Sequence, residues 1–172
     1  ALIGSTFLGG NSRDGLNEAR DLKYFYADNH RGEVISNEKG EALVATNSLS
    51  PDFPLVNAFQ TLKNDRQDGI FFHMNEDLSQ LLWSSYYGGN GDDAFYSIDV
   101  NSQGLIYLSG GTKSTNLTMT SGTVNENYQG GLVDGFITCL DPTTKEVLRT
   151  TYWGTNEYEQ IFSLDIDKYD QV

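Results

Sequence analysis

The sequence has little of what disulfides, metal clusters and nucleic-acid binding require. Its 172 residues include one cysteine, Cys139, and two histidines. An internal disulfide, a cysteine-based zinc cluster and a multi-histidine metal centre are therefore excluded. Only 11 basic residues stand against 24 acidic ones, and the formal net charge of −13 argues against nucleic acid and anionic membrane surfaces as partners. No apolar run approaches the roughly 20 residues of a membrane-spanning helix, so we expect no direct membrane insertion.

What the sequence does contain is a repeat built from aromatic residues and glycine. Residues 86–90 (YYGGN) recur as residues 152–156 (YWGTN), and an earlier copy occupies residues 7–11 (FLGGN). The 66-residue offset between the first two copies also superposes residues 97–100 (SIDV) on residues 163–166 (SLDI). Two segments that match in one register indicate a true internal repeat.

The repeat divides the chain into units of one larger domain. We predict a first unit at residues 1–85, a second at 86–151 and the start of a third at 152–172. The first unit is longer because of an insertion near residues 17–34. Insertions in repeat proteins usually map to loops on one face, which is often the binding face.

Alternating β-branched and aromatic residues predict four strands in the second unit, at residues 95–100, 105–109, 135–140 and 146–153. Four short strands per repeat are typical of a β-propeller blade. The predicted fold class is therefore all-β, with about two blades of four-stranded antiparallel sheet plus flanking strands of a larger propeller.

Both ends of the chain also read as strands, at residues 1–8 and 162–167, and a short helix is a weaker prediction at residues 20–26. Since propellers usually need 4–8 blades, we expect a fragment of one β-propeller domain. The alternative is a small processed domain.

Several segments resemble the bacterial SBBP-type β-propeller repeat. They are residues 84–93 (SSYYGGNGDD), 96–110 (YSIDVNSQGLIYLSG), 50–54 (SPDFP) and 134–138 (DGFIT). In the first unit, residues 4–10 (GSTFLGG) resemble a variant found in very large surface proteins of Bacteroidota, which often carry a sorting region for type IX secretion or gliding motility.

The resemblance implies an extracellular or outer-membrane location on a Gram-negative bacterium. It also implies two kinds of partner: the remaining blades of the same chain, and other cell-surface or outer-membrane proteins. No catalytic constellation is visible in the sequence, so we expect a non-enzymatic scaffold or interaction module. The alternative is a carbohydrate-binding or carbohydrate-active propeller whose site needs further blades.

One loop is a candidate metal site. Asn90, Asp92 and Asp93 lie in a glycine-containing turn, and Ca²⁺ prefers such carboxylate and carbonyl oxygens. The copies at residues 11–14 (NSRD) and 156–159 (NEYE) diverge, and no other cofactor is expected. The alternative is a turn in which the Asp and Asn side chains accept backbone N–H groups.

The insertion holds a candidate interaction surface made of Tyr24, Phe25, Tyr26 and His30. If these side chains are exposed, they form a contact surface for a protein or a glycan, because aromatic residues are enriched at interface hot spots. If they pack over a blade, they cover an otherwise open sheet. The sequence leaves both alternatives open.

Three pairs of residues occupy matched positions in successive units. They are Asp99 with Asp165, Asp68 with Asp134, and His73 with Cys139. The first pair belongs to strands that would line the propeller channel. There the two side chains could bind a cation or ligand. The alternative is that they hydrogen-bond neighbouring backbone as spacers between blades. The second pair is interpreted as part of a turn. The third is interpreted as a structural position at which the side chain fills space.

Overall fold

The computed structural model describes residues 4–64 and 66–172, without the side chain of Tyr26. The described chain contains eight strands and two short 3-10 helices, and no α-helix. The strands are β1 (Glu33–Ser36), β2 (Ala42–Ser48), β3 (Asp68–Met74), β4 (Leu81–Tyr87), β5 (Asp93–Val100), β6 (Ile106–Thr112), β7 (Asp134–Asp141) and β8 (Glu146–Trp153). They form two four-stranded antiparallel sheets, ordered β1-β2-β3-β4 and β5-β6-β7-β8. The predicted all-β fold with four-stranded antiparallel sheets is confirmed.

The four strands predicted in the second unit coincide with β5 to β8. The largest difference is at β6, which continues beyond residue 109 through Gly110 and Gly111 to Thr112. A Cβ on Gly110 would overlap the backbone oxygen of Ala94. Glycine is therefore required at this close approach, although its low strand propensity predicted an earlier end.

The predictions for the two ends of the chain and for the insertion were less accurate. Residues 1–3 lie outside the described residues, and residues 4–8 and 162–167 form no strand, so these two predictions were wrong. Instead of one helix at residues 20–26, the insertion contains 3-10 helices at Arg20–Leu22 and Tyr26–His30.

The trailing segment runs beside β5, but side chains supply most of its hydrogen bonds. The N–H groups of Leu164 and Ile166 bond to Ser97 Oγ at 3.1 Å and to Asp99 Oδ2 at 2.8 Å. Because side-chain oxygens replace backbone carbonyls as acceptors, no regular ladder forms.

The main core lies between the two sheets. Tyr87, at the end of β4, packs its ring against both Phe95 and Phe136 of the second sheet, with each centroid 5.4 Å away. The cluster also contains Leu43, Ala45, Phe71, Trp83, Ile98, Ile106, Leu108, Leu140 and Tyr152. Burial of so much aromatic surface makes the contact between the sheets a major source of stability.

Within the described residues, no helix has the length and apolar character needed to cross a bilayer.

Candidate functional site

The loop between the two sheets is fastened to the second sheet by a buried carboxylate. Asp93 accepts hydrogen bonds from the N–H of Gly89 at 2.8 Å, from the Ser114 hydroxyl at 2.6 Å and from the Thr112 hydroxyl. Ser114 in turn accepts the N–H of Gly91 at 2.8 Å. The 88–93 loop, which follows β4, is thereby joined to the segment that ends β6.

The first unit repeats this fastening with its own residues. Asp14 accepts the N–H of Gly10 and the Ser50 hydroxyl, each at 2.8 Å, and the Ser48 hydroxyl at 2.5 Å. Ser50 accepts the N–H of Ser12 at 2.9 Å. The repeat seen in the sequence is thus also a repeat of three-dimensional contacts.

The three candidate metal ligands do not converge on one point. Asn90 exchanges hydrogen bonds with Thr115, whereas Asp92 accepts from Arg66 at 3.4 Å and from the N–H of Gln67 at 3.3 Å. Asp93 points instead toward the hydroxyl groups described above. The described part of the chain contains no group of three or more His, Cys, Asp or Glu residues able to hold a metal. These contacts match the alternative interpretation, a turn in which the Asp and Asn side chains accept backbone N–H groups.

We accordingly expect calcium to have no effect on the stability of this loop. The Asp93 oxygens already accept three hydrogen bonds, so a cation would have to displace them. Thermal unfolding measured with millimolar Ca²⁺ and with a chelator should give the same melting temperature. A rise in melting temperature that is lost in Asp93→Asn would instead support a calcium site.

A second buried carboxylate lies close to Asp93. A Cβ on Gly88 would lie 2.7 Å from both Asp68 Cγ and Asp93 Oδ2, so both carboxyl groups lie against this glycine. Asp68 Oδ2 accepts from Gln60 Nε2 at 3.1 Å, whereas Oδ1 is buried without a hydrogen-bond partner.

The electrostatics of this carboxylate pair follow from burial. Desolvation raises the pKa of Asp68 to about 6 and the pKa of Asp93 to about 7. The negative charge of Asp68 also contributes to the rise at Asp93. The pair is therefore partly protonated near neutral pH.

The same arrangement recurs 66 residues later. A Cβ on Gly154 would lie 3.2 Å from Glu159 Oε2 and even closer to Asp134 Oδ1, which is buried without a hydrogen-bond partner. Asp134 Oδ2 accepts the N–H of Gln129 at 2.5 Å, and burial raises the pKa of Asp134. Asp68 and Asp134 each accept a loop N–H, as the turn interpretation expects, but the neighbouring carboxylates of Asp93 and Glu159 were not predicted from the sequence. The glycine that recurs at positions 88 and 154 was the sequence feature that could have indicated these carboxylates.

The insertion is buried at Leu22, which we call its base, and exposed at Tyr24 and Phe25, which we call its tips. Leu22 is buried, and its carbonyl accepts the hydroxyl of Tyr96 at 2.9 Å. Tyr24 and Phe25 are 66% and 59% exposed, with their rings edge to face at 4.8 Å. The base therefore covers the second sheet, while the two aromatic tips remain available as a contact surface.

The other predicted members of this surface are less well placed or lie outside the description. The side chain of Tyr26 is outside the described residues. His30 is exposed and lines shallow pockets with Arg31, Gly32 and Glu33, whereas Tyr24 lines neither of them. The ring of Tyr24 lies instead near that of Tyr158, with the two centroids 5.6 Å apart.

Asp99 joins neighbouring segments through backbone hydrogen bonds. Its Oδ2 accepts the N–H of Ile166 at 2.8 Å, and its Oδ1 accepts the N–H of Val100 at 2.7 Å. Asp165 accepts the N–H of Ile166 at 3.1 Å. These contacts match the spacer alternative rather than a ligand site.

A cleft of about 730 Å³ opens between the two sheets at the end that carries the β1–β2, β5–β6 and β7–β8 turns. His73 lies in its wall, with Nε2 at 3.0 Å from Glu41 Oε2. Burial lowers the pKa of His73, which favours the neutral ring. From the sequence, His73 was interpreted as filling space and Glu41 was not singled out. No local pattern links these two residues, which are 32 positions apart in the chain.

No protein-family model matches the chain, and no curated protein matches its sequence. The resemblance to SBBP-type repeats therefore rests on the sequence motifs alone.

Proposed function

We propose that the chain is a non-enzymatic scaffold and interaction module made of repeated blades, and that the outer face of β7 and β8 docks a further four-stranded sheet. One observation carries this proposal. Tyr87 and Trp153 occupy the same position in successive units, yet Tyr87 is 2% exposed and Trp153 is 54% exposed. Tyr87 is covered by Phe95 and Phe136 of the following sheet, and Trp153 has no equivalent cover among the described residues.

A contact in the trailing segment supports such a docking. Ile161 takes the repeat position of Phe95, and it approaches Gly135 as Phe95 approaches Gly69. A Cβ added to Gly135 would lie 2.8 Å from the Ile161 side chain, and one added to Gly69 would lie 2.6 Å from the Phe95 ring. The same close packing of a side chain against a glycine supports a third unit that follows the second.

Part of the hydrogen bonding of the Asp14 and Asp93 carboxylates also recurs in the trailing segment. Glu159 takes the position of Asp93 and accepts the N–H of Thr155 in its own loop at 3.2 Å, as Asp93 accepts that of Gly89. Asp14 and Asp93 also accept hydroxyl groups from the end of the next sheet's second strand, whereas the hydroxyl that Glu159 accepts is that of Thr155 in its own loop. We propose that a further sheet supplies such hydroxyl groups to Glu159.

The first sheet has a complementary free face. Val34 is 65% exposed, whereas Ile98, its equivalent 64 residues later, is 1% exposed because the preceding sheet covers it. Among the described residues, each sheet thus has one uncovered face, as successive blades of a propeller would. We propose that the docking sheets are further blades of the same chain.

The proposed setting is a secreted or surface-exposed bacterial protein, and it rests on the resemblance. A link to type IX secretion or gliding motility, with other surface proteins as partners, is part of the same proposal. A net charge of −13 favours solubility and positively charged partners.

Fluorescence quenching tests the docking proposal. Trp83 is buried and Trp153 is half-exposed, so the difference in quenching between the wild-type protein and a Trp153→Phe variant reports on Trp153, and a Trp83→Phe variant is its matched control. In the native protein as isolated from its source, we expect Trp153 to be protected from acrylamide. In the 172-residue chain alone it should be readily quenched. Ready quenching in the native protein would contradict the docking of a further sheet.

A further inference from the structure

The cleft between the sheets has the composition of a ligand site. Aliphatic side chains form its floor, and polar residues of three hairpin turns form its rim. The floor consists of Ile35, Leu43, Leu82, Val100 and Ile106. Concave sites with an apolar lining and a few convergent polar groups are where proteins usually bind small ligands and side chains.

Glu41 is held at the wall of this cleft with one oxygen available. Its Oε2 accepts hydrogen bonds from Asn37 Nδ2 at 2.7 Å and from His73 Nε2 at 3.0 Å. Within the described residues, Oε1 accepts none. The hydrogen bond from Asn37 outweighs desolvation and holds the pKa of Glu41 below its usual value, so the carboxylate is charged at neutral pH.

The two lysines of the cleft act on Glu41 only at a distance. Lys145 places its ammonium over the ring of Trp83, 4.7 Å from the centroid, and Lys39 is exposed on the β1–β2 turn. In the described part of the chain, neither lysine forms an ion pair with Glu41; the partner within 4.0 Å is His73. Asp99 uses both oxygens for backbone N–H groups.

The repeat shows that the fold does not need this polar pair. The second unit has Leu105 and Cys139 at the positions of Glu41 and His73. A polar group in a largely buried position costs desolvation that an apolar side chain avoids, and His73 Nδ1 is buried without a hydrogen-bond partner. Packing alone therefore accounts for Leu105 and Cys139 but not for Glu41 and His73.

We propose that this cleft binds a basic side chain of a partner protein, with the ammonium or guanidinium group on Glu41 Oε1 and the aliphatic stem on the floor. A group of this shape supplies the donor that Oε1 lacks and the apolar surface that the floor accommodates. The strong negative net charge of the chain favours the approach of a cationic partner.

The test uses a ligand pair that differs only in the cation. Nα-acetyl-lysine methylamide and its norleucine counterpart are titrated into the chain, and binding is followed by NMR shifts of the residues that line the cleft. We expect saturable shifts around Glu41 and Ile35 with the lysine compound, and at least tenfold weaker binding of the norleucine compound, because a charge-assisted hydrogen bond is lost. Absence of saturable shifts, or equal binding of the two compounds, would overturn the proposal.

The repeat supplies the matched variants. Glu41→Leu combined with His73→Cys gives the first unit the residues that the second unit already uses, so the fold should be retained. Lysine binding should fall about tenfold in this double variant and in the conservative Glu41→Gln. Glu38→Gln, which removes another carboxylate from the same cleft, should change binding less than twofold. Unchanged binding in both Glu41 variants would refute the assignment.

Discussion

Replacing Tyr87 with alanine is expected to destabilise the chain by about 3–5 kcal/mol, as for other large buried aromatic residues. The ring packs against both Phe95 and Phe136, and the hydroxyl is 2.9 Å from Thr150 Oγ1. The substitution removes this aromatic contact between the sheets and leaves a cavity at their junction. Denaturant-induced unfolding, followed by circular dichroism, measures the effect.

Trp153→Ala is the matched control, because Trp153 occupies the same repeat position on the second sheet. Its side chain is half-exposed, so in the 172-residue chain the loss should be no more than about 1 kcal/mol. Similar losses for the two variants would mean that the contact between the sheets is not the source of stability that its burial indicates.

Stability is expected to fall as the pH rises from about 5 to 8. Asp68 and Asp93 have pKa values of about 6 and about 7 in the folded chain, well above those of unfolded aspartate. Between the unfolded and folded values the folded state binds more protons, so the free energy of unfolding decreases as the pH rises through this window. Each unit of pKa shift corresponds to about 1.4 kcal/mol, and the total change should reach several kcal/mol.

Asp93→Asn tests the origin of this pH dependence. The amide oxygen can still accept the hydrogen bonds of Gly89 and Ser114, but the group no longer titrates. We expect a much flatter stability profile between pH 5 and 8 in this variant. Glu76→Gln, which removes an exposed carboxylate, should leave the slope unchanged. A wild-type profile that rises with pH across this range would contradict the proposed protonation of the pair.

The secondary structure was predictable because its signals are local. Alternating apolar residues and turn residues such as those at 101–104 specify each hairpin, and β8 was predicted with its exact bounds. The chain ends were predicted poorly because their alternation also suits an extended segment held by side chains. The hydrogen bonds from Leu164 to Ser97 and from Ile166 to Asp99 depend on tertiary structure.

The candidate sites were predictable only where the repeat revealed them. The equivalence of Asp14 and Asp93 could be found by alignment within the chain, and both proved to be fastening carboxylates. Glu41 and His73 were not paired in the sequence analysis because the second unit has no such pair to compare. The proximity of Asp68 to Asp93 depends on how the 88–93 loop folds. No periodicity in the sequence predicts that loop conformation.

The most direct test of the repeated-blade interpretation is the particle mass of the native protein, measured by native mass spectrometry. The uncovered faces marked by Trp153 and Val34 predict a particle well above 19.1 kDa, large enough to contain the four or more blades of a closed propeller. A stable, monodisperse particle of 19.1 kDa would contradict this interpretation. In that case the two sheets would persist without any further sheet to cover them.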